Sequence, residues 1–358
     1  MKKALRLAEK GKGRTSPNPM VGALIVRDGE VVATGFHKKA GDNHAEIEAL
    51  SALKGGVLQS DTLYVTLEPC THYGKTPPCA EAILRSGIKR VVVGMEDPNP
   101  NVSGGGIRFL REHGVRVDCG ILESECRKLN EAFVKFVKTG RPFIIAKSAL
   151  TMDGWTATAA GNSKWITNEK SRRFVHYLRD SVDAVMVGAG TIIADNPSLT
   201  TRLGNRKCKD PIRIILDTNF RIPHNAAVLN NDSDSMTYIV VGADTGSRAT
   251  RDVKKENVSF IRCPAKENVI DLDSLMDILG KMSITSLMVE GGSKVMGSMI
   301  RGKLIDKFYI FKAPVILGGD DAVPMAVGAT PAMIDDSIRM RDLSVKRFDE
   351  DILIIGYI

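Results

Sequence analysis

His44-Ala45-Glu46, then Thr66-Leu67-Glu68-Pro69-Cys70, then Cys79, form the stretch on which the reading of this chain turns. One imidazole and two thiols supply three zinc ligands and leave a fourth tetrahedral position open, which separates a catalytic zinc site from a closed structural one. Glu46 lies two residues beyond the histidine, close enough to move protons at that open position. Eight residues, Thr71-His72-Tyr73-Gly74-Lys75-Thr76-Pro77-Pro78, separate the two cysteines. A closed site with His37 or His72 as fourth ligand is the alternative, and it would leave Glu46 without a role.

The flanking pattern sets the fold. Residues 21–26 and 31–35 read as a hairpin about Asp28-Gly29. Residues 44–53 have a helical pattern, 62–67 read as a strand, 80–85 as a helix closed by Ser86-Gly87, and 90–94 as a buried strand. That order suits a mixed sheet with helices on its faces. It also puts the metal segments at helix starts, where backbone N–H groups favour thiolate and carboxylate charge. Residues 123–139 read as one long helix, broken by Gly140-Arg141-Pro142, so domains are expected over 1–140 and 141–358. The second restarts with a strand at 143–147. Further strands at 184–188, 212–217, 238–242 and 286–290, with helical stretches between, predict a largely parallel α/β domain. The chain has no internal repeat and no low-complexity segment.

Composition removes other classes. A length of 358 residues favours two domains, and 43% hydrophobic with 26% charged residues is ordinary for a globular protein. Six irregularly spaced cysteines are no disulfide framework; Cys119, Cys126, Cys208 and Cys263 read as plain thiols. The start Met1-Lys2-Lys3 has the basic beginning of a signal peptide, but Arg6 and Glu9 interrupt any apolar core. No run of about 18 apolar residues is present. The expectation is a cytoplasmic protein without a membrane partner. The net charge of +8 comes from scattered residues such as Lys10, Lys12, Arg14, Arg202, Arg206, Lys207 and Lys209. A nucleic-acid stripe would be denser and interleaved with aromatics, which make up only 5% here. Phosphorylated small molecules or dinucleotides are therefore the expected partners, not nucleic acid.

A catalytic zinc lowers the pKa of its water to ~7, so water can attack an amidine-like carbon while Glu46 carries a proton to the departing amine. Hydrolytic deamination of an aminated heterocycle is the chemistry these residues predict. Ser16-Pro17-Asn18-Pro19-Met20-Val21-Gly22-Ala23, His44-Ala45-Glu46, the stretch 66–79 and Asp97-Pro98-Asn99-Pro100 together resemble the deaminase half of the bifunctional riboflavin-biosynthesis enzymes. Transfer-RNA and free-base deaminases typically carry a short Cys-x-x-Cys instead. The resemblance implies a cytidine-deaminase-like domain that replaces the 2-amino group of 2,5-diamino-6-(5-phosphoribosylamino)pyrimidin-4-one with oxygen. It implies that Asn18, His37, His72 and Lys75 contact pyrimidine or phosphate, and Asp97 and Asn99 the ribose. Asp97-Pro98-Asn99-Pro100 is also good turn chemistry in its own right.

In the second half, Val289-Glu290-Gly291-Gly292-Ser293 joins a strand to a helical stretch, where glycines let a phosphate approach helix N–H groups. It is not a Gly-x-Gly-x-x-Gly fingerprint. The stretches 147–154, 162–167 and 188–200 resemble the reductase half of the same family, similar in fold to dihydrofolate reductase and dependent on NADPH. By that resemblance Ala149, Trp165, Thr191, Asp195 and Thr218 line the cofactor site, with the turn formed by Gly292, Ser293, Lys294, Val295, Met296, Gly297 and Ser298. Lys147, Ser163, Arg179, Leu199, Arg202 and Glu290 meet the substrate, the two arginines suiting a ribose phosphate. The implied reaction is hydride transfer to C1 of the ring-opened ribose, giving a ribityl chain. Lys147, Asp153 and Glu290 all remain candidates for its proton donor. A homo-oligomer is expected. Two other readings stay open: a nucleic-acid-directed deaminase with a binding module, and a zinc-stapled scaffold without catalysis.

Overall fold

Asp28 and Gly29 both take positive φ, 48° and 85°, so the chain reverses tightly between β1 (Gly22–Arg27) and β2 (Glu30–Phe36). In this computed structural model residues 1–71, 77–99, 104–204, 208–243, 245 and 255–358 are described, and they fall into two units, Met1–Arg141 and Pro142–Ile358.

In the first unit β3 (Thr62–Leu67), β4 (Arg90–Met95) and β5 (Arg116–Cys119) complete a sheet of order β2-β1-β3-β4-β5. β1 runs antiparallel to β2 and β3, and the remaining pairs are parallel. Helices α1 (Lys2–Ala8), α2 (Ala45–Ala52), α3 (Cys79–Ser86), α4 (Gly105–Glu112), α5 (Glu123–Leu129) and α6 (Glu131–Thr139) accompany it. The alternate strand residues Ala23, Ile25, Leu63, Val65, Val91 and Val93 are buried in one core with Ala49, Ile83 and Leu110. A Cβ on Gly35 would stand 2.3 Å from Ala45 O, so only glycine lets α2 lie this close to β2. The expected single helix over 123–139 is instead two. Asn130 leaves helical geometry (φ −105°, ψ 25°) because its side chain is committed elsewhere, as described below.

Asp61, at the start of β3, is 1% exposed and accepts from Arg27 Nε (2.8 Å), Arg27 Nη2 (2.9 Å) and the Leu58 N–H (2.8 Å). The Arg27 hydrogen bond holds its carboxyl below the usual carboxylate range, against the opposing effect of burial. Its contribution to stability is therefore complete above the unfolded carboxylate pKa and is lost as pH falls through the lowered folded value. Asp61→Asn is expected to lower the thermal transition of the protein by roughly 5 °C at pH 7. In calorimetry the difference from wild type should shrink below about pH 4; a difference unchanged in acid would show that the charge is not what matters.

The second unit contains β6 (Phe143–Leu150), β7 (Trp155–Ala157), α7 (Glu169–Ser181), β8 (Ala184–Gly188), α8 (Ala189–Asp195), β9 (Ile212–Leu216), β10 (Thr237–Gly242) and β11 (Val258–Cys263). A small hairpin follows, β12 (Ala265–Lys266) with β13 (Val269–Ile270), then α9 (Leu272–Lys281), β14 (Ser286–Gly291), α10 (Ser293–Arg301) and β15 (Lys307–Lys312). The tail holds β16 (Val323–Pro324), β17 (Arg341–Phe348) and β18 (Asp351–Tyr357). Nine strands form one sheet of order β11-β10-β9-β8-β14-β6-β15-β18-β17. It is parallel from β11 to β15, as the strand–helix alternation predicts, and only β18 is reversed, pairing antiparallel with both β15 and β17. The parallel strands therefore deliver their carboxyl ends to one edge, where open α/β sheets bind ligands. Among the described residues no helix is long and apolar enough to cross a membrane.

Candidate active sites

Three ligand atoms converge in the first unit. His44 precedes α2 in extended backbone (φ −72°, ψ 161°), Cys70 follows β3, and Cys79 opens α3. Their ligand atoms lie within 4.8 Å of one another, with His44 Nδ1 3.2 Å from Cys79 Sγ and 3.6 Å from Cys70 Sγ. The backbone fixes the pair of sulfurs: Cys79 N–H points at Cys70 Sγ (3.4 Å) and Ala80 N–H donates to Cys70 O (3.1 Å). Hydrogen bonds from Cys79 and then His44 pull Cys70 down to about 4, while its thiolate and burial push Cys79 up. A bound cation would hold both sulfurs as thiolates, the form in which cysteine ligates metal. One imidazole and two sulfurs fit zinc.

Glu46 stands on the first turn of α2, 3% exposed, and burial pushes its carboxyl up to about 7, the charge of Cys70 acting the same way. His37, also buried, has both ring nitrogens occupied, Nδ1 with Asn43 O (3.1 Å) and Nε2 with Asn18 Nδ2 (3.2 Å). Burial lowers its pKa, which keeps the ring neutral, so Nδ1 donates and Nε2 accepts. With both nitrogens engaged His37 is not a fourth ligand. Its ring lies 5.5 Å from that of His44, so Asn18 and His37 stand beside the metal trio. Asp97 and Asn99 share one turn, the Asn99 N–H donating to Asp97 Oδ1 at 2.9 Å. His72 and Lys75 lie outside the described residues.

Two residues of this unit escape sequence reasoning. Asn130 is 2% exposed and grips the Met20 peptide from both sides, accepting from Met20 N–H (2.8 Å) and donating to Met20 O (2.9 Å). It thereby holds the loop that carries Asn18. An asparagine in an otherwise helical run is the signal that could have found it. The second is Glu68, taken up below.

In the second unit Thr191, Thr218 and the 292–298 turn follow the ends of the parallel strands β8, β9 and β14, along one edge of the sheet. Gly291 (φ 140°) and Gly292 lead from β14 into α10, and a Cβ on Gly292 would be 3.1 Å from Thr191 Oγ1. A Cβ on Gly188, at the end of β8, would be 2.9 Å from Val295 Cγ2, so the α8 and α10 starts are neighbours. This cradle, kept free of side chains at a helix N-terminus, fits a dinucleotide phosphate. Thr218 follows β9, its carbonyl accepting from Gly242 N–H (3.0 Å) and Thr245 Oγ1 (2.7 Å). Asp195 ends α8 and is exposed. Ser163 and Trp165 line a cavity of about 100 Å³ with Thr151 and Val315, and Trp165, 69% exposed, lies under the Arg172 guanidinium at 4.5 Å. Ala149 is half-buried and packs on one side against the Phe311–Leu353 cluster.

Four of the expected substrate residues, Lys147, Arg179, Arg202 and Glu290, form a charged cluster. Arg179 Nε and Nη2 donate to both Glu290 oxygens (2.6 and 2.8 Å), and Nη1 to Thr200 O (2.9 Å). Its donors are thus held by protein atoms, whereas the exposed Arg202 guanidinium is steadied by Ser198 Oγ and Thr200 Oγ1, each at 3.1 Å. Leu199, buried with φ 54°, turns that segment. His176, three residues before Arg179 on α7, accepts from the Arg202 N–H at 3.2 Å. Burial and then the charges of Arg179 and Arg202 push His176 down to about 4, which keeps it a neutral acceptor. Val289 faces Ala146 across the β14–β6 ladder, so Lys147 and Glu290 occupy the next positions. Burial lowers the Lys147 pKa although the charge of Glu290 opposes it. Burial favours a protonated Glu290, yet the charge and hydrogen bonds of Arg179 outweigh it and hold that carboxyl low.

Comparison with known proteins places both halves of the chain in described families. Residues 1–95 match the family described as the cytidine and deoxycytidylate deaminase zinc-binding region, and residues 142–354 match the RibD C-terminal domain. A riboflavin biosynthesis protein RibD of Aquifex aeolicus is 42% identical over 99% of this chain and 96% of its own, and one of Bacillus amyloliquefaciens is 40% identical over 98% and 94%. Among solved structures, RibD of Acinetobacter baumannii superposes with TM-score 0.88 at 36% identity, covering 99% of this chain and 97% of its own. A Thermotoga maritima diaminohydroxyphosphoribosylaminopyrimidine deaminase/5-amino-6-(5-phosphoribosylamino)uracil reductase superposes with TM-score 0.84 at 36% identity, over 100% and 97%.

Proposed function

The chain belongs to the RibD family and is a bifunctional riboflavin-biosynthesis enzyme, a zinc-dependent deaminase joined to an NADPH-dependent reductase; from that premise we propose which residues do the work. Residues 1–140 deaminate 2,5-diamino-6-(5-phosphoribosylamino)pyrimidin-4-one, and residues 141–358 reduce the ribosyl group of the product to a ribityl chain. The observation that carries this reading is the three-ligand cluster with buried Glu46 beside it.

His44, Cys70 and Cys79 would hold zinc, which when bound supplies Lewis acidity that makes water a nucleophile near neutral pH. Glu46 takes a proton from the attacking water as the C–O bond forms by addition across the ring C=N, whose nitrogen takes up that proton. The hydroxyl proton then passes through Glu46 to the amine, the C–N bond breaks, C=O forms and ammonia departs. Asn18 and His37 orient the pyrimidine, with His72 and Lys75 from the intercysteine loop and Asp97 and Asn99 toward the ribose.

In the reductase Ala149, Trp165, Thr191, Asp195, Thr218 and the 292–298 turn would hold NADPH, which when bound would supply the hydride. Reducing the imine consumes one proton overall, and we assign its delivery to Lys147. The other two candidates are less suited. Glu290 is ionised in its pair with Arg179. Asp153 is held low by the Gly318 N–H and the Thr151 hydroxyl, and also accepts from Leu317 N–H, as a loop anchor. Arg202 takes the substrate phosphate and Ser163 and Leu199 contact the substrate, while the Arg179–Glu290 pair holds the Thr200 carbonyl of the segment on which Arg202 rests. Scattered positive charge and few aromatics support a free phosphorylated substrate over nucleic acid, and we further propose a cytoplasmic homo-oligomer.

A coupled assay tests the whole reading. NADPH oxidation from the diaminopyrimidine should require zinc, stop on chelation and return when zinc is restored. Oxidation from the deaminated intermediate should not need the metal. NADPH consumption from the diamino compound by zinc-free protein, or none from either compound, would overturn it.

A further inference from the structure

Glu68 is 3% exposed and has no place in either reaction as derived above. It stands where the chain leaves β3, two residues before the ligand Cys70. Its carboxylate accepts four backbone N–H groups: Asp97 (3.0 Å) and Gly104 (2.9 Å) on Oε2, Gly106 (2.8 Å) and Ile107 (3.0 Å) on Oε1. That fills about all the lone-pair sites a carboxylate offers. Gly106 and Ile107 lie in the first turn of α4, whose N–H groups have no partner within the helix. The N-cap position itself is Gly104, with φ 71° and no side chain to supply the cap. The cap arrives from the metal-bearing turn instead, and contact there is tight: a Cβ on Gly106 would stand 1.9 Å from Pro69 O.

One carboxylate therefore ties three pieces together: the turn carrying Cys70, the turn of Asp97 and Asn99, and the start of α4. We propose that Glu68 is a positioning residue for deamination, fixing the Asp97–Asn99 turn at a set distance from the metal ligands so that it meets the substrate ribose. This rests on the deaminase reading of the first unit. A helix cap alone would need only a local serine, threonine, aspartate or asparagine; reaching back to Asp97 N–H serves the site.

Glu68→Gln keeps the shape but turns an NH2 group toward two of the four donors. The full-length, zinc-loaded variant should raise the deaminase KM about tenfold or more with a smaller change in kcat, since small misplacements at a site are costly. Zinc content should stay at that of wild type, and NADPH oxidation from the deaminated intermediate should be unchanged. Wild-type KM in a folded, zinc-loaded variant, or a loss explained wholly by missing zinc, overturns the proposal. Should the variant not fold, hydrogen exchange on the wild-type protein decides: the amides of Asp97, Gly104, Gly106 and Ile107 should exchange as slowly as those of β3, and exchange at exposed-loop rates overturns it. Absence of deamination in the wild type would instead sink the deaminase reading.

Discussion

Glu46→Gln is expected to abolish deamination and leave reduction intact. Glu46 lies on the first turn of α2, 3% exposed, two residues after the ligand His44. The amide is nearly isosteric, so the ligand cluster should keep its geometry and its zinc. What is lost is the group that carries a proton from water to the departing amine, a contribution of about 10²–10⁴-fold, or ~3–5 kcal/mol of barrier. Ammonia release from the diaminopyrimidine should fall by roughly three orders of magnitude. NADPH oxidation should vanish with that substrate and return to the wild-type rate when the deaminated intermediate is supplied. A zinc-loaded variant within tenfold of wild type would mean that another group moves the proton.

The metal trio was legible because its chemistry is concentrated: three ligands and an acid within 36 residues, punctuated by Pro69-Cys70 after a strand and a cysteine opening a helix. Parallel strands announced themselves as short apolar runs between helical stretches, and the second unit does contain a mainly parallel sheet. The antiparallel tail was not legible. β17 is an edge strand exposed along nearly its whole length, so it lacks the alternation that marks a half-buried strand. The break at Asn130 was hidden for a different reason. Helical periodicity runs on through 123–139, and only the contact with Met20, 110 positions away, makes the interruption worthwhile.

The same limit applies to the charged cluster. Arg179 and Glu290 were each expected near substrate, but nothing local shows that they bind one another across 111 positions. That pairing is why Arg202 is proposed for the phosphate and Lys147, not Glu290, for the proton. Glu68 was in plain view within Thr66-Leu67-Glu68-Pro69-Cys70, yet a buried acid that serves only backbone N–H groups has no sequence signature. Its partners are fixed by the return of the chain at 97–107.

Lys147→Met is expected to cost the reductase about 10²–10⁴-fold in kcat, with deamination unchanged and NADPH affinity, read by fluorescence titration, also unchanged. Methionine preserves the side chain as far as Cε and removes only the amine, and Glu290 keeps its two hydrogen bonds to Arg179, so no acid is left unpaired. The pH profile separates a proton donor from a mere contact. A donor must be protonated, so wild-type kcat should fall as pH rises through the Lys147 pKa. Burial places that pKa below the ordinary lysine value of about 10.4, the charge of Glu290 opposing and that of Arg179 adding to the shift. The alkaline limb should therefore appear below the usual lysine range and be missing from the methionine variant. Glu290→Gln supplies the opposite sign: removing the carboxylate that favours protonated Lys147 should move the same limb to lower pH. A limb that persists in Lys147→Met, or one that moves upward in Glu290→Gln, would place the proton on another group.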